Sequence, residues 1–151
     1  MIIYGYDGNQ YGVHTRDNLS YLMEDVVLSN TGLRYIGPNK TVRFVVSGRH
    51  IDYKLEYGFE WDGASIPKGF RWLIGNPTDK EFILASMFHD LGYSLREKRV
   101  YQDVIFYYLL MWSKVPHWKA DFMYKAVRAG GHAYYASDSS RAWRLIRRVL
   151  L

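Results

Sequence analysis

The stretch IDYKLEYGF, residues 51–59, alternates apolar and polar side chains almost strictly. This alternation predicts a β-strand with one buried face. The residues from Thr41 to Val46 predict a second strand, and Ser47-Gly48-Arg49 between the two fits a hairpin turn. Upstream of this hairpin, Gly and Asn turn signals separate a strand expected near Ile2–Tyr6 from another expected near Tyr21–Leu28.

Downstream of Pro77 the pattern becomes helical. Thr78 followed by Glu81 is a capping box, which predicts the start of a helix that continues to about Leu95. Three further helices are expected, at Tyr101–Ser113, from Pro116 to Gly130-Gly131, and from Ser137 to Leu151. The sequence therefore predicts one α+β domain over residues 1–151. Residues 1–77 should be mainly antiparallel β and loop, packed on a bundle of about four helices in residues 78–151.

The composition narrows the functional class. The chain has 151 residues, 48% of them hydrophobic, which suits one folded domain. It contains no cysteine, so we expect a reducing cytoplasm or the inside of an assembled particle. The N-terminus lacks a signal-peptide pattern, and the longest apolar run, Val104–Trp112, is too short to span a bilayer. The net charge of +5 fits either an anionic neighbour, such as nucleic acid or lipid headgroups, or simply a basic surface that keeps the protein in solution.

An ionisable pair, His89-Asp90, lies inside the first apolar helix. Such a pair must be hydrogen-bonded or coordinated, because burying an unpaired charge is costly. The short connection Arg96–Val100 makes the next helix an antiparallel neighbour, so Asp103 can reach back to the His89 ring at about 2.6–3.2 Å. A carboxylate on one imidazole nitrogen leaves the other nitrogen to take a proton. Tyr93 lies one turn after His89 on the same face.

The loop Asp62–Pro67 supplies candidate metal ligands just before this helix. Asp62 offers a carboxylate, Ser65 a hydroxyl, and Gly63 a backbone carbonyl. Together with Asp90 these oxygens suit a hard cation such as calcium. We expect the loop to fold over the N-terminal side of the His89 helix and to bury Trp61 and Ile66. Two structural alternatives stay open: a His–Asp–Tyr network that ties two helices together, and a strand-exit turn capped by Asp62 and Ser65.

Several motifs together resemble those of a protein family that is common in tailed phages and prophages, the family named domain of unknown function 1353. They are the stretch GFEWDGASIP (residues 58–67), His89-Asp90-Leu91-Gly92-Tyr93, and Asp103 with Phe106 and Leu109. The likeness extends over roughly residues 40 to 132 and departs at Gln102, where the family usually has Ala. It implies a phage protein of the host cytoplasm or the virion, with other phage structural proteins as partners. It implies no established activity.

The same constellation is similar, more distantly, to secretory-type (A-two) phospholipases. That likeness implies that His89 activates water, Asp90 binds calcium, Asp103 orients His89 and Tyr93 is a hydrogen-bond partner. A rival likeness is to the His-Asp phosphohydrolases, which need another histidine on an upstream helix. The upstream histidines here, His14 and His50, lie in the predicted strand half.

The last predicted helix, Ser137–Leu151, carries four arginines along an otherwise apolar pattern. It fits either an ordinary packed helix or a helix that lies on an anionic membrane or a partner. Two functions follow from the whole sequence. The first is a metal-assisted ester or phospholipid hydrolase, and the second is a non-catalytic virion or accessory protein.

Overall fold

A computed structural model describes residues 1–64, 66, 68–95 and 97–134, and side chains as far as residue 128. In the described residues seven strands come first, with one short helix among them, and the other helices follow. This confirms the predicted α+β arrangement. The strands are β1 (Ile2–Tyr4), β2 (Gln10–Thr15), β3 (Val26–Ser29), β4 (Gly32–Tyr35), β5 (Lys40–Val46), β6 (Arg49–Leu55) and β7 (Glu60–Trp61). The α-helices are α1 (Leu19–Glu24), α2 (Arg71–Ile74), α3 (Ile83–Gly92), α4 (Arg99–Trp112) and α5 (His117–Tyr134).

The strands form two antiparallel sheets. The larger sheet has the order β1-β2-β5-β6, and the smaller has the order β3-β4-β7. The β5–β6 pair is the predicted hairpin, in register with Phe44 opposite Ile51. Its turn residues Ser47 and Gly48 both have positive φ, 49° and 83°. Two such residues make the turn whose twist matches that of the flanking strands.

One face of the hairpin forms the floor of the helical layer. Phe44 and Tyr53 are buried and meet Phe88 of α3 edge to face, with ring centroids 5.2 Å from Phe88 in both cases. Such pairs favour this geometry because the ring edge is positive and the ring face negative. The alternation seen in residues 51–59 therefore positions α3 on the sheet. The strand itself ends earlier than predicted, at Leu55, where Gly58 turns the chain with a φ of 90°.

Consecutive long helices run in opposite directions. Along α3 and α4, Gly92 lies against Gln102 while the earlier residue His89 lies against the later residue Phe106. Along α4 and α5, the Tyr107 hydroxyl donates to Asp121 Oδ1, while the earlier residue Arg99 donates to the carbonyl of the later residue Val127. These pairings confirm the antiparallel neighbours expected around the short connection, of which Arg96 lies outside the described residues.

Three further local predictions were wrong. Part of the strand expected at Tyr21–Leu28 is helix α1, because the Asn18 side chain accepts a hydrogen bond from the backbone N–H of Ser20 and caps a helix start. Thr78 does not open α3. Instead the Asp79 carboxylate accepts from the backbone N–H of Asn76, and a 3-10 turn, Lys80–Phe82, precedes the helix.

Between the Asp62–Pro67 loop and Pro77 the chain forms the 3-10 turn Lys68–Phe70 and helix α2. Helix α5 continues through Gly130-Gly131, where the sequence predicted an end. The predicted last helix, Ser137–Leu151, lies outside the described residues. Within the described part of the chain, no helix is long and apolar enough to cross a membrane.

Candidate functional site

The centre of the site is a contact between His89, near the end of α3, and Asp103, in the second turn of α4. His89 Nε2 lies 3.3 Å from Asp103 Oδ1, slightly beyond the range expected from the sequence. The Asp103 side chain has no exposed surface, whereas 15% of the His89 side chain is exposed. With Nε2 facing the carboxylate, Nδ1 is the nitrogen that can accept a proton.

Two aromatic rings flank the imidazole. The Phe106 ring is tilted at 5.1 Å between centroids, and the Tyr93 ring meets it edge to face at 5.4 Å. The Tyr93 side chain is half-exposed, so it forms part of the rim of the site. These rings restrict the space in which the His89 side chain can rotate.

The second oxygen of Asp103 faces a cation. Arg99 Nε lies 3.6 Å from Asp103 Oδ2, one helical turn earlier on α4. The same guanidinium donates through Nη2 to the backbone carbonyls of Val127 and Arg128 on α5, at 2.8 and 3.0 Å. Within the described residues, Oδ2 has no hydrogen-bond partner. Arg99 therefore connects the buried carboxylate to α5.

Two tyrosines have raised pKa values to which Asp103 contributes. Burial, followed by the negative charge of Asp103, raises the pKa of Tyr6. The same two causes raise the pKa of Tyr124 to about 12. Tyr6 precedes β2 and Tyr124 lies on α5, so the charge of Asp103 acts on groups from both ends of the described chain.

A second pair of carboxylates lies beside the His89–Asp103 contact. Burial, followed by the negative charge of Asp62, raises the pKa of Asp90 to about 6, and His89 acts in the opposite direction. Asp62 follows β7 directly and is exposed. Two carboxylates that repel each other in this way would be relieved by a cation between them.

The loop that carries Asp62 is fastened to the helical half. The buried Trp61 donates from Nε1 to Ser86 Oγ of α3 at 2.9 Å, and Ile66 is buried as well. The backbone N–H of Ala64 donates to the Pro77 carbonyl at 2.8 Å. The predicted burial of both apolar residues is confirmed, and the loop lies against α3. Ser65 and Pro67 lie outside the described residues.

The backbone conformation and the packing at position 63 require glycine. Its φ is +89°, and a Cβ at this position would lie 2.3 Å from the Pro77 carbonyl oxygen. Only glycine permits this approach of two backbone segments. A role of the Gly63 carbonyl as a metal ligand stays a prediction.

The structure brings some predicted site residues together and not others. His89, Asp103 and Tyr93 form one cluster, and Asp90 is coupled to Asp62. His14 and His50, which a phosphohydrolase site would have needed nearby, are exposed on β2 and β6. Among the described residues, no group of three or more His, Cys, Asp or Glu side chains is arranged to hold a metal.

Sequence reasoning assigned no role to Arg99, Tyr6 and Tyr124. The spacing of Arg99 four residues before Asp103 on a helix is a signal that predicts their contact. Tyr6 and Tyr124 carry no such signal, because they reach the site only through tertiary packing.

Comparison with known proteins identifies a family but no activity. A family model described as "Protein of unknown function (DUF1353)" matches residues 32–127, which include Asp62, His89 and Asp103. The uncharacterized protein y4jT of Sinorhizobium fredii is 37% identical over 82 residues, which are 54% of this chain and 24% of that protein. This chain therefore corresponds to a small part of that relative. No solved structure matches the chain.

Proposed function

The chain belongs to the DUF1353 family, whose function is unknown, and we propose that it is a hydrolase in which His89 is the general base. The observation that carries this proposal is the fully buried Asp103 carboxylate on His89 Nε2. A carboxylate in that position fixes one tautomer and stabilises the imidazolium that forms when Nδ1 takes a proton from water.

A divalent cation, calcium by the chemistry of the donors, is the proposed cofactor. Asp90 and Asp62 would hold it, with the Gly63 carbonyl and the Ser65 hydroxyl as further oxygen donors. The mutual repulsion of the two carboxylates supports this assignment, because oxygen-rich anionic sites suit hard cations. When bound, the ion supplies Lewis-acid polarisation of a substrate carbonyl. His89 Nδ1 then has the task of removing a proton from water beside it.

The proposed substrate is an ester, with a phospholipid as the first candidate. Two exposed tryptophans support a lipid source: Trp72 on α2 is 82% exposed and Trp118 on α5 is 54% exposed. The two segments that carry these tryptophans are in contact, because the rings of Phe70 and Phe122 meet edge to face with their centroids 5.2 Å apart. Indole rings favour the boundary between water and lipid, and the net charge of +5 favours anionic headgroups.

The biological setting belongs to the same proposal. A phage-encoded protein would act in the host cytoplasm or from the virion, beside other phage structural proteins or an anionic membrane surface. Nucleic acid is a further candidate partner, which the basic charge also suits.

One observation favours a non-catalytic function. Arg99 and Asp103 join α3, α4 and α5 through a single buried network. A virion or accessory protein that uses this network only for stability would have the same contacts. Activity, and not stability, therefore has to separate the two functions.

The deciding experiment measures fatty-acid release from vesicles of anionic phospholipid, with calcium and then with chelator. We expect turnover with calcium only, a loss of about 10²- to 10⁴-fold in His89→Gln, and loss of the calcium response in Asp90→Asn. Asp103→Asn should reduce the rate without abolishing it, since the base remains but its orientation is lost.

His50→Gln is the matched control, because it removes an exposed histidine from β6, away from the proposed site. It should retain the full rate. Folding of every variant is checked by circular dichroism. Absence of turnover in the wild type, with and without calcium, on vesicles and on a soluble ester, would leave the non-catalytic function as the better explanation.

A further inference from the structure

The Arg99 side chain contacts three groups, the Asp103 carboxylate and two backbone carbonyls of α5. No other described side chain contacts all three. Its Nε faces Asp103 Oδ2 at 3.6 Å, and its Nη2 donates to the carbonyls of Val127 and Arg128 at 2.8 and 3.0 Å. These carbonyls belong to the backbone of α5, so the guanidinium is held by a rigid element. Arg99 itself is only partly exposed, with 35% of its side chain accessible.

The Asp103 carboxylate depends on this cation. It is fully buried, and one of its oxygens has no hydrogen-bond partner among the described residues. A buried carboxylate without a compensating charge is strongly unfavourable. Its rotation about the side chain also decides whether Oδ1 points at His89 or away from it, and the cation beside Oδ2 restricts that rotation.

We infer that Arg99 is a positioning residue for the reaction proposed above, on which the inference rests. Its positive charge attracts Asp103 Oδ2, so the other oxygen, Oδ1, stays directed at His89 Nε2. The imidazole proton then stays on Nε2. Arg99 touches neither water nor substrate in this assignment. Helix α5 thereby contributes to the site through its backbone carbonyls, although it carries none of the residues that contact the reacting atoms.

The shape of the guanidinium is part of the argument. Arginine presents several N–H donors in a planar fork, so it can serve Asp103 and α5 together. A lysine ammonium at the end of a flexible stem carries the same charge but cannot fix both partners in one plane. The ordering expected from the inference is wild type above Arg99→Lys, with Arg99→Gln lowest.

The test compares wild type, Arg99→Lys and Arg99→Gln with two measurements. The first is the tautomer of His89, read from ¹⁵N shifts of the imidazole at one fixed pH in the full chain. The second is the pair of kinetic constants for ester hydrolysis, with kcat and KM determined separately. In Arg99→Gln we expect a mixture of both tautomers and a kcat lowered about tenfold to hundredfold, with KM changed less than twofold. Arg99→Lys should lie between this variant and wild type in both measurements.

Arg49→Gln is the matched control. It removes another arginine whose guanidinium makes two hydrogen bonds, here to Glu97 in the α3–α4 connection. It should leave the His89 tautomer and kcat unchanged. If Arg99→Gln fails to fold, Arg99→Lys carries the test alone.

A folded Arg99 variant with the wild-type tautomer and the wild-type kcat would overturn the inference. The tautomer measurement needs no turnover. If the wild type hydrolyses nothing but the tautomer shifts in Arg99→Gln, the proposed hydrolase is wrong while the positioning of His89 by Arg99 stands.

Discussion

Replacement of Asp90 with asparagine should stabilise the folded protein at neutral pH. Burial and the charge of Asp62 raise the Asp90 pKa from 3.8 to about 6. Since the pKa in the folded state is above that in the unfolded state, the folded state binds the proton more tightly. The free energy of unfolding should therefore fall as the pH rises from about 4 to about 6, and the full penalty is present above that range.

The size of the effect follows from the shift. A shift from 3.8 to about 6 corresponds to about 3 kcal/mol, at about 1.36 kcal/mol for each pH unit. Asp90 is only half-buried, so solvent screening reduces this, and we expect roughly 1–2 kcal/mol. For a chain of this length that is a rise in Tm of roughly 2–8 °C. The asparagine keeps the shape of the side chain and removes only its charge.

The assay is thermal unfolding followed by circular dichroism between pH 4 and pH 8. The stability gain of Asp90→Asn should be small at the acidic end and should grow with pH. Asp52→Asn is the control of opposite sign, because Arg43 lowers the Asp52 pKa and the charged form is stabilising there. An Asp90→Asn variant that is less stable than wild type at pH 7.5, or a gain that does not grow with pH, would refute the reasoning.

Three further variants test the packing around the site. Gly92→Ala should destabilise the fold by about 1–3 kcal/mol in urea unfolding, because its Cβ would lie 2.1 Å from Gln102 Oε1, and Gln102→Ala in the same chain should recover part of the loss. Gly63→Ala should cost about 1–3 kcal/mol and weaken calcium binding measured by calorimetry, since it pushes the loop from Pro77; equal binding would contradict the loop's role. Trp61→Phe should cost about 1–3 kcal/mol in the same unfolding assay, since it leaves a buried serine hydroxyl without its indole donor, and an unchanged midpoint would count against that hydrogen bond.

Most of the regular structure was predictable because its signals are local. The alternation of residues 51–59 placed a buried strand face, and the apolar spacing after Phe82 placed α3. Both depend on the period of the backbone itself, which sequence neighbours reveal. Helix α1 escaped prediction because its six residues are too few for a periodic pattern, and only the Asn18 cap marks its start.

In the candidate site, too, some features follow from local sequence and others only from tertiary packing. His89, Asp90 and Asp103 were predictable because a short connection between two helices leaves few ways for them to meet. The sequence also placed Asp62 in a loop before α3. The distance along the chain between Asp62 and Asp90 does not reveal the repulsion between their carboxylates, which contributes to the raised pKa of Asp90. That coupling arises only when β7 and its loop are fastened to the helical half.

Apart from the i,i+4 contact with Arg99, the surroundings of Asp103 were decided by tertiary structure. Tyr6 and Tyr124 lie near opposite ends of the described chain, and the carbonyls that hold Arg99 are backbone groups, which every residue has. No pattern of side chains along the sequence marks such contacts, because periodicity records which face of an element is buried and not what it is buried against. The sequence thus identifies the imidazole and its carboxylate, while the packing of α5 and the N-terminal segment brings the more distant groups to them.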